Sequence, residues 1–305
     1  MIPLDPSVPV DEMFGVRKAE GADREQLSNL IFLESHVHRH LDWRGPLDWL
    51  EHSPFWVLEE GKRITAALAC PPDPDDIAWI RLFAFEAHVS GRAAWQLLWK
   101  SVQGQLLERG GATVAAIAIQ RWLDPILLEH GFAPASHIVM LEMDSAGARP
   151  PQKPAQCRIR LMVPGDLPRV VALDSVAFEH LWRNSIEALT KAYTQASYAS
   201  VAEDDSGLLG YQLSTGGSFG THLARLAVLP AAQRRGLGAA LVNDLIAHIP
   251  AGREPRLTVN TQADNSASLA LYYRLGFRRT GERYPVYAFE VRPPDALSSG
   301  PRERR

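Results

Sequence analysis

Two halves of the chain repeat the same local motifs at a nearly constant separation. Gly131 ends the stretch LLEHG, and Gly276 ends the stretch YYRLG 145 residues later. The same separation places Gly91 opposite Gly236, and each of these two glycines opens an apolar pattern with helical spacing. Because two independent motifs agree on one separation, the sequence predicts an internal repeat and therefore two domains of one fold.

The beginnings of the two halves also match, at a separation of 143 residues. The segments VRKAEGADREQLSNLI from Val16 and IRLMVPGDLPRVVALD from Ile159 both predict a short strand, a Gly/Asp turn and a helix. Each half then continues with two or three strands, a helix, a strand, a helix and a strand. The Pro- and Gln-rich segment 145–156 is the predicted linker, so we expect domains at 14–144 and 157–292.

Composition narrows the class of protein. A chain of 305 residues is long enough for two ordinary domains. Its formal charge of -3 offers no general attraction to nucleic acid, and it has no run of about 18 apolar residues. We therefore expect a cytoplasmic protein without nucleic-acid or membrane partners, with a disordered or extended segment 1–13 and a flexible tail 293–305. Cys70 and Cys157 are too isolated to predict a disulfide framework or a cysteine zinc site.

The segment QRRGLGAALVNDLI predicts an anion-binding turn. It follows the apolar strand HLARLAV and opens a helix, and the N-terminus of a helix carries free amides and partial positive charge. Gly236 and Gly238 allow close approach to the backbone, while Arg234 and Arg235 add charge. The chain has no GxxxxGK[ST] motif, and Leu241 stands where a dinucleotide fingerprint needs its third glycine.

Two linked motifs resemble the GNAT superfamily of N-acetyltransferases. The stretch from Val228 through Gln233 to Ala239 is similar to the pattern [QR]-x-x-G-x-[GA] that follows a V-x-P strand end. About 30 residues later, LTVNTQADNSASLALYYRLGF is similar to the N-x-x-[AS]-x-x-L-Y-x-x-x-G-F motif, with Asn265 and Tyr272 in register. The resemblance implies an α/β (α+β) fold of two tandem GNAT-like domains, each a mixed, mostly antiparallel central sheet flanked by helices.

The resemblance also implies a binding site for acetyl-CoA as co-substrate. The backbone of 234–239 is expected to hold the pyrophosphate, the end of the preceding strand to pair with the pantetheine arm, and Asn265 to contact the same molecule. The cofactor-binding residues expected on this basis are Leu226, Ala227, Val228, Gln233, Arg234, Arg235, Gly236, Leu237, Gly238, Ala239, Asn265 and Tyr272.

The resemblance, together with the chemistry of acyl transfer to an amine, also implies catalytic roles. Backbone amides near Ala227 or Val228 are expected to meet the oxyanion, and Tyr272 to give its proton to the thiolate. A base must accept the proton of the amine. His222 is the first candidate because an imidazole titrates in the right range, and a non-catalytic strand histidine is the alternative. Glu203 is a weaker candidate, since it begins a hairpin-like turn.

The first half lacks the chemistry of the second. At the 145-residue separation Arg235 corresponds to Ser90 and Tyr272 to Leu127, so we expect a degenerate GNAT-like domain at 14–144. Its histidines alternate at three positions, 36, 38 and 40, which suits one face of a strand; a metal site is not favoured there, and no metal is expected elsewhere. The aromatic segment that follows is expected to roof the acceptor cleft or to pack the halves together.

The predicted function is transfer of an acetyl group from acetyl-CoA to a primary amine by direct attack in a ternary complex. A non-catalytic acyl-CoA sensor or scaffold is one alternative. A protein N-terminal acetyltransferase is another, because Tyr284 and Tyr287 in ERYPVYAFEV could line a peptide groove or simply pack. The acceptor is thus a small-molecule amine or a peptide N-terminus, and the chain is a monomer or a homodimer.

Overall fold

The computed structural model describes residues 14–144, 157–217, 220–249 and 256–293. The predicted N-terminal segment 1–13, the linker 145–156 and all but the first residue of the tail 293–305 lie outside the described residues. The chain divides into two compact units. Unit 1 comprises Met1–Ala135 and Val286–Arg305, and unit 2 comprises Ser136–Pro285.

Unit 1 contains a five-stranded antiparallel sheet in the order β1-β3-β4-β6-β2, and a second group in the order β5-β7-β14. Its elements are β1 (Gly15–Lys18), α1 (Arg24–Leu33), β2 (His36–Arg39), β3 (Phe55–Glu60), β4 (Arg63–Ala69), β5 (Ile77–Trp79), β6 (Leu82–Phe85), α2 (Gly91–Glu108), β7 (Ala112–Ile117) and α3 (Leu123–Glu129). Strand β5 pairs with β7 in parallel, which makes the strand pairing of this unit mixed.

Unit 2 contains strands in the order β14-β8-β13-β12-β11-β10-β9. Its elements are β8 (Ala133–Asp144), β9 (Arg158–Leu161), α4 (Leu167–Ala177), α5 (Ile186–Gln195), β10 (Tyr198–Asp204), β11 (Gly207–Gly217), β12 (Gly220–Val228), α6 (Leu237–His248), β13 (Arg256–Gln262), α7 (Ser266–Leu275) and β14 (Arg278–Val291). From β8 through β13, β12, β11 and β10 to β9, only the β12 and β13 pair is parallel, so the predicted mixed, mostly antiparallel sheet is confirmed.

Two strands are exchanged between the units, so the units do not divide at the boundaries predicted from the sequence. From Ser136 onwards β8 belongs to unit 2, where it pairs with β13. From Val286 onwards β14 belongs to unit 1, where it pairs with β7. The predicted domains at 14–144 and 157–292 assigned each strand to the half that encodes it. The hydrophobic pattern of a strand locates it in the chain but does not say which sheet edge it joins.

The internal repeat predicted from the sequence is visible in the register of the strands. Ile77 stands opposite Thr113 in a parallel pair of unit 1, and His222 stands opposite Thr258 in a parallel pair of unit 2, both 145 residues further on. The glycines that follow the equivalent helices, Gly131 and Gly276, have positive φ angles of 84° and 104°. Glycine is favoured there because other residues rarely adopt this conformation.

Helix α6 forms because its apolar residues recur at helical spacing. Leu237, Leu241, Val242 and Leu245 are buried. Val242 and Leu245 pack in a core that also holds Tyr272 of α7. The burial of this stripe fixes the N-terminus of α6 beside the end of β12, where the candidate site lies.

Candidate functional site

The turn between β12 and α6 exposes backbone amides. Arg234 and Gly236 have positive φ angles of 63° and 83°, a conformation that turns successive peptide groups toward one side. Gly236 is the N-cap of α6, no side chain caps it, and no acidic residue occupies the first turn. The amides at the start of α6 are therefore available to an anion.

The end of β12 leaves one backbone edge open. Its parallel pairing with β13 covers Thr221 to Leu223 only, and among the described residues no strand pairs with that edge further along. Its other edge stays paired with β11 as far as Val228. The open edge can pair with an extended ligand that carries amide groups, as an added strand would.

A cavity of about 500 Å³ joins the open edge to the turn. Its lining contains two arginines and, among the described residues, no carboxylate, so the cavity suits an anionic ligand. The residues that line it are Ala177, Phe178, Leu226, Ala227, Val228, Gln233, Arg234, Gly236, Leu237, Gly238, Ala239, Asn265, Ala267, Ser268, Ala270, Leu271 and Arg274.

The structure brings most of the predicted cofactor-binding residues together around this cavity. The exceptions are Arg235 and Tyr272, which are not among its lining residues. The Arg235 guanidinium pairs with the Asp204 carboxylate at 3.1 Å instead. Asn265 lines the cavity and also caps α7, since its side-chain oxygen accepts a hydrogen bond from the Ser268 amide at 3.0 Å. Of the two adjacent arginines in the turn, Arg234 thus lines the cavity and Arg235 forms an ion pair outside it.

Tyr272 lies in the core beside the cavity and is 4% exposed. Its ring packs against the ring of Phe277, with the centroids 5.4 Å apart. Within the described residues its hydroxyl has no hydrogen-bond partner, and burial raises its pKa. The hydroxyl therefore keeps its proton at neutral pH.

His222 lies away from the main cavity. It lines a second cavity of about 330 Å³ with residues that include Thr215 and Arg256. Its Nδ1 atom is 2.9 Å from the Thr258 hydroxyl, and burial lowers its pKa. At neutral pH the imidazole is therefore neutral and able to accept a proton. Leu226 is four positions further along β12, which corresponds to about 13 Å in an extended strand.

Glu203 has a structural partner. Both oxygens of its carboxylate accept hydrogen bonds from Arg160 at 2.9 Å, and this contact lowers the pKa of Glu203. Arg160 also binds Asp166. Unit 1 repeats the same arrangement with Arg17, Asp23 and Glu59. Because the repeat lies in both units, it stabilises the fold and does not favour Glu203 as a base.

Comparisons with known proteins agree with this geometry. Residues 217–286, which hold most of the site, match the model of a family described as FR47-like protein. No curated protein matches the chain. A GCN5-related N-acetyltransferase from Sphaerobacter thermophilus has a similar structure, with a TM-score of 0.61, 16% identity, and coverage of 94% of this chain and 98% of that one.

Two further solved structures are similar over most of the chain. A tandem GNAT protein from the clavulanic acid biosynthesis pathway has a TM-score of 0.61 and 16% identity, covering 92% of this chain and 99% of its own. The chain has the tandem GNAT fold. A GCN5-related N-acetyltransferase from Anabaena variabilis has a TM-score of 0.66 and 15% identity, covering 91% of this chain and 73% of its own.

Within this tandem GNAT fold, unit 1 fills the place that corresponds to the cavity of unit 2. Strands β5 and β6 of unit 1 correspond to the first and second parts of β12 in unit 2. The edge that is open in β12 is covered in unit 1, because β2 pairs with β6 and His38 lies opposite Phe83. The hydroxyl of Ser90 caps α2, and a Cβ atom on Gly91 would lie 2.5 Å from the Phe85 ring. The place in unit 1 that corresponds to the cavity is therefore filled by β2 and by the Phe85 ring.

Two of the three alternating histidines, His36 and His38, belong to that closing strand, and His40 follows its last residue. His36 stacks on the Phe85 ring at 4.7 Å, and the Nε2 atom of His38 is 3.1 Å from the Ile80 carbonyl oxygen. Among the described residues no group of three metal-ligating side chains could hold a metal ion. These histidines pack within unit 1.

The two tyrosines of the peptide-groove alternative have different surroundings. Tyr287 is 7% exposed in the core of unit 1, while Tyr284 is half-buried in unit 2. Within the described residues no helix is long and apolar enough to cross a membrane.

Sequence reasoning missed several residues that line the cavity. Arg274 and Ser268 lie on α7, and the spacing of α7 from Ser268 through Leu271 to Arg274 could have identified them as one helix face. Ala177 and Phe178 come from the end of α4, far away in sequence. No local pattern marks these two residues as neighbours of β12.

Proposed function

We propose that unit 2 is an acetyl-CoA-dependent N-acetyltransferase that transfers the acetyl group to a primary amine by direct attack in a ternary complex. The observation that carries this proposal is one cavity that joins the free amides of α6 to the open edge of β12. The cavity suits acetyl-CoA because this molecule has a phosphorylated end and an amide-containing arm. Both features are needed, since a phosphate site alone would suit many ligands.

The residues present fit the two ends of this co-substrate. The amides of Gly236 to Ala239 and the guanidinium of Arg234 would hold the pyrophosphate. The edge from Leu226 to Val228 would pair with the amide-containing arm. Asn265 would contact the same arm from α7.

Acetyl-CoA supplies an acetyl group bonded to a good leaving group, and residues of the chain donate and accept the protons that are transferred. The amine nitrogen bonds to the thioester carbon, and the C–S bond breaks. A backbone amide near Ala227 or Val228 would donate a hydrogen bond to the carbonyl oxygen as it gains negative charge. Tyr272, which is buried beside the cavity and is not one of its lining residues, would give its proton to the leaving thiolate directly or through one water molecule. The proton lost by the amine goes to the base.

His222 is the proposed base, and its position favours a water-mediated role. His222 is too far along β12 from Leu226 to contact an amine at the open edge directly. Its neutral state at neutral pH suits proton acceptance at the outer end of a water chain. Replacement His222→Gln is expected to lower kcat and to move the acidic limb of its pH profile; an unchanged profile would remove His222 from the mechanism.

The test of the proposed function is transfer by the full chain to a panel of primary amines and short peptides, followed through release of free thiol. Acetylated amine as product supports the enzyme. Saturable acetyl-CoA binding without any transfer would support the acyl-CoA sensor or scaffold instead. Transfer only to the N-terminus of a peptide would identify the peptide acceptor. The cytoplasmic location and the monomeric or dimeric state remain part of the proposal.

A further inference from the structure

A buried ion pair lies behind one wall of the cavity. The Arg225 side chain, on β12, is 13% exposed, and that of its partner Asp174, on α4, is fully buried. The Nε atom of Arg225 donates to the Asp174 carboxylate at 2.8 Å. Tyr211 also donates its hydroxyl proton to that carboxylate. The charge of Arg225 is therefore neutralised inside unit 2.

This pair also fixes the segment that connects α4 with α5. The guanidinium of Arg225 donates to the Trp182 carbonyl oxygen at 2.7 Å and lies over the Phe178 ring, 3.6 Å from its centroid. Asp174 accepts a hydrogen bond from the Asn184 amide at 3.0 Å. One buried charge pair thus holds both ends and the middle of 178–184.

The segment 178–184 borders the end of the cavity that is far from the turn before α6, where the acetyl group is expected. Phe178 and Leu226 line the cavity, and Arg225 directly precedes Leu226 in the strand. The phosphate-binding turn follows Val228, at the other end of the open edge. Three residues of strand from Arg225 to Val228 span about 10 Å, so Phe178 lies away from the turn and toward the place for the thioester.

Unit 1 contains a comparable ion pair without the anion-binding turn, although at the 145-residue separation Arg81 corresponds to Leu226 and not to Arg225. Arg81 follows the break between β5 and β6, pairs with Asp42 at 2.7 Å and lies 4.4 Å from the centroid of the Trp49 ring. Arg225 likewise follows a register shift in β12. In unit 1 the ion pair of Arg81 and Asp42 anchors the segment between β2 and β3 to the sheet, although the anion-binding turn is filled there. Such a pair can therefore hold a segment in place without contacting a cofactor.

We propose that Arg225 is a positioning residue that holds Phe178 as an apolar wall for the acceptor, so that the site selects an amine with an apolar carbon skeleton. This inference rests on the proposed function. The wall formed by Ala177, Phe178 and Leu226 is apolar, and no carboxylate among the described lining residues could receive a second ammonium group. Phenethylamine represents the predicted class, and ethanolamine is its polar counterpart.

The test compares Arg225→Lys with the milder Tyr211→Phe in the full chain. Lysine keeps the charge but cannot reproduce the planar fork that reaches Asp174 and Trp182 together. We expect Arg225→Lys to raise the KM for phenethylamine roughly tenfold or more, because a small displacement of the wall is costly. The Kd for acetyl-CoA should change by less than about threefold. Tyr211→Phe, which leaves Arg225 in place, should affect both values little.

A spectroscopic measurement tests the positioning role of Arg225 without relying on enzymatic turnover. Trp182 is the only tryptophan between Ser136 and Pro285, so in the 5-fluorotryptophan-labelled chain its resonance can be assigned with Trp182→Phe. We expect Arg225→Lys to move or broaden this resonance. If the lysine variant does not fold, the double variant Asp174→Asn with Arg225→Met removes the pair without a buried unpaired charge.

The outcomes separate this inference from the proposed function. An unchanged Trp182 resonance, or a Kd for acetyl-CoA that rises in parallel with KM, would overturn the positioning role. Better transfer to ethanolamine than to phenethylamine by the wild-type chain would overturn the apolar class of acceptor. If no amine is acetylated, the proposed function and the acceptor class fail, and the Trp182 resonance still decides whether Arg225 positions the segment.

Discussion

Replacement Tyr272→Phe should lower activity while leaving stability nearly unchanged. The Tyr272 hydroxyl has no hydrogen-bond partner within the described residues, and the side chain is almost fully buried. The hydroxyl oxygen is not among the fully buried atoms that lack a partner, so water can bond to it and the cost of about 1–3 kcal/mol for a buried unpartnered hydroxyl does not apply. Phenylalanine keeps the ring against Phe277. We expect the free energy of unfolding to change by less than about 1 kcal/mol.

The same replacement should remove the proton donor for the leaving thiolate. A positioned general acid contributes about 10²–10⁴-fold to rate, so kcat is expected to fall within that range. The Kd for acetyl-CoA should change by less than about threefold, because Tyr272 does not line the cavity. Urea unfolding gives the stability, thiol release gives kcat, and calorimetry gives Kd.

Tyr273→Phe is the matched control. Tyr273 is adjacent in α7 and 44% exposed, so its replacement should change none of the three quantities. Loss of stability by at least about 1 kcal/mol in Tyr272→Phe would show that the hydroxyl has a structural partner. Full activity in a stable Tyr272→Phe variant would refute its role as the acid.

Three further predictions use residues with contrasting surroundings. Arg234→Gln should weaken acetyl-CoA binding roughly tenfold in a calorimetric titration, and Arg235→Gln by less than about threefold, because only the first arginine lines the cavity; equal losses would contradict this distinction. Glu203→Gln should lower the melting temperature by weakening its contact with Arg160 and should leave kcat within about threefold; a much larger fall in kcat would restore Glu203 as a candidate base. Burial lowers the pKa of His38 to about 4. The neutral imidazole therefore stabilises the folded state above the unfolded pKa of about 6.5, and this contribution is lost as pH falls toward about 4. Urea unfolding should show about 2 kcal/mol less stability from His38 at pH 5 than at pH 7.5, and His38→Gln should reduce this dependence; the same pH dependence in the variant would contradict it.

Local sequence spacing was sufficient for the centre of the candidate site. The positions of Gln233, Arg234, Gly236 to Ala239 and Asn265 around one cavity follow from two short motifs, each contained in a strand end, a turn and a helix start. The internal repeat was also readable, because Gly91 and Gly236 occupy equivalent helix starts in the structure. Short-range geometry of this kind is encoded in neighbouring residues.

Long-range pairing explains what the sequence could not predict. The exchange of β8 and β14 depends on which sheet edge each strand joins, and the hydrophobic pattern is the same for either edge. Asp174 and Phe178 meet Arg225 only through the packing of α4 on the sheet. The closure of unit 1 by β2 likewise depends on a pairing between segments that are about 45 residues apart.

We propose that unit 2 of this tandem fold binds acetyl-CoA and that the corresponding place in unit 1 is closed. A calorimetric titration of the full chain with acetyl-CoA tests this claim most directly. We predict one site per chain, which is lost in Gly236→Val because a β-branched residue is strained at a φ of 83°. Two sites per chain would contradict the closure of unit 1. Absence of saturable binding would contradict the assignment of the turn before α6 as the acetyl-CoA site.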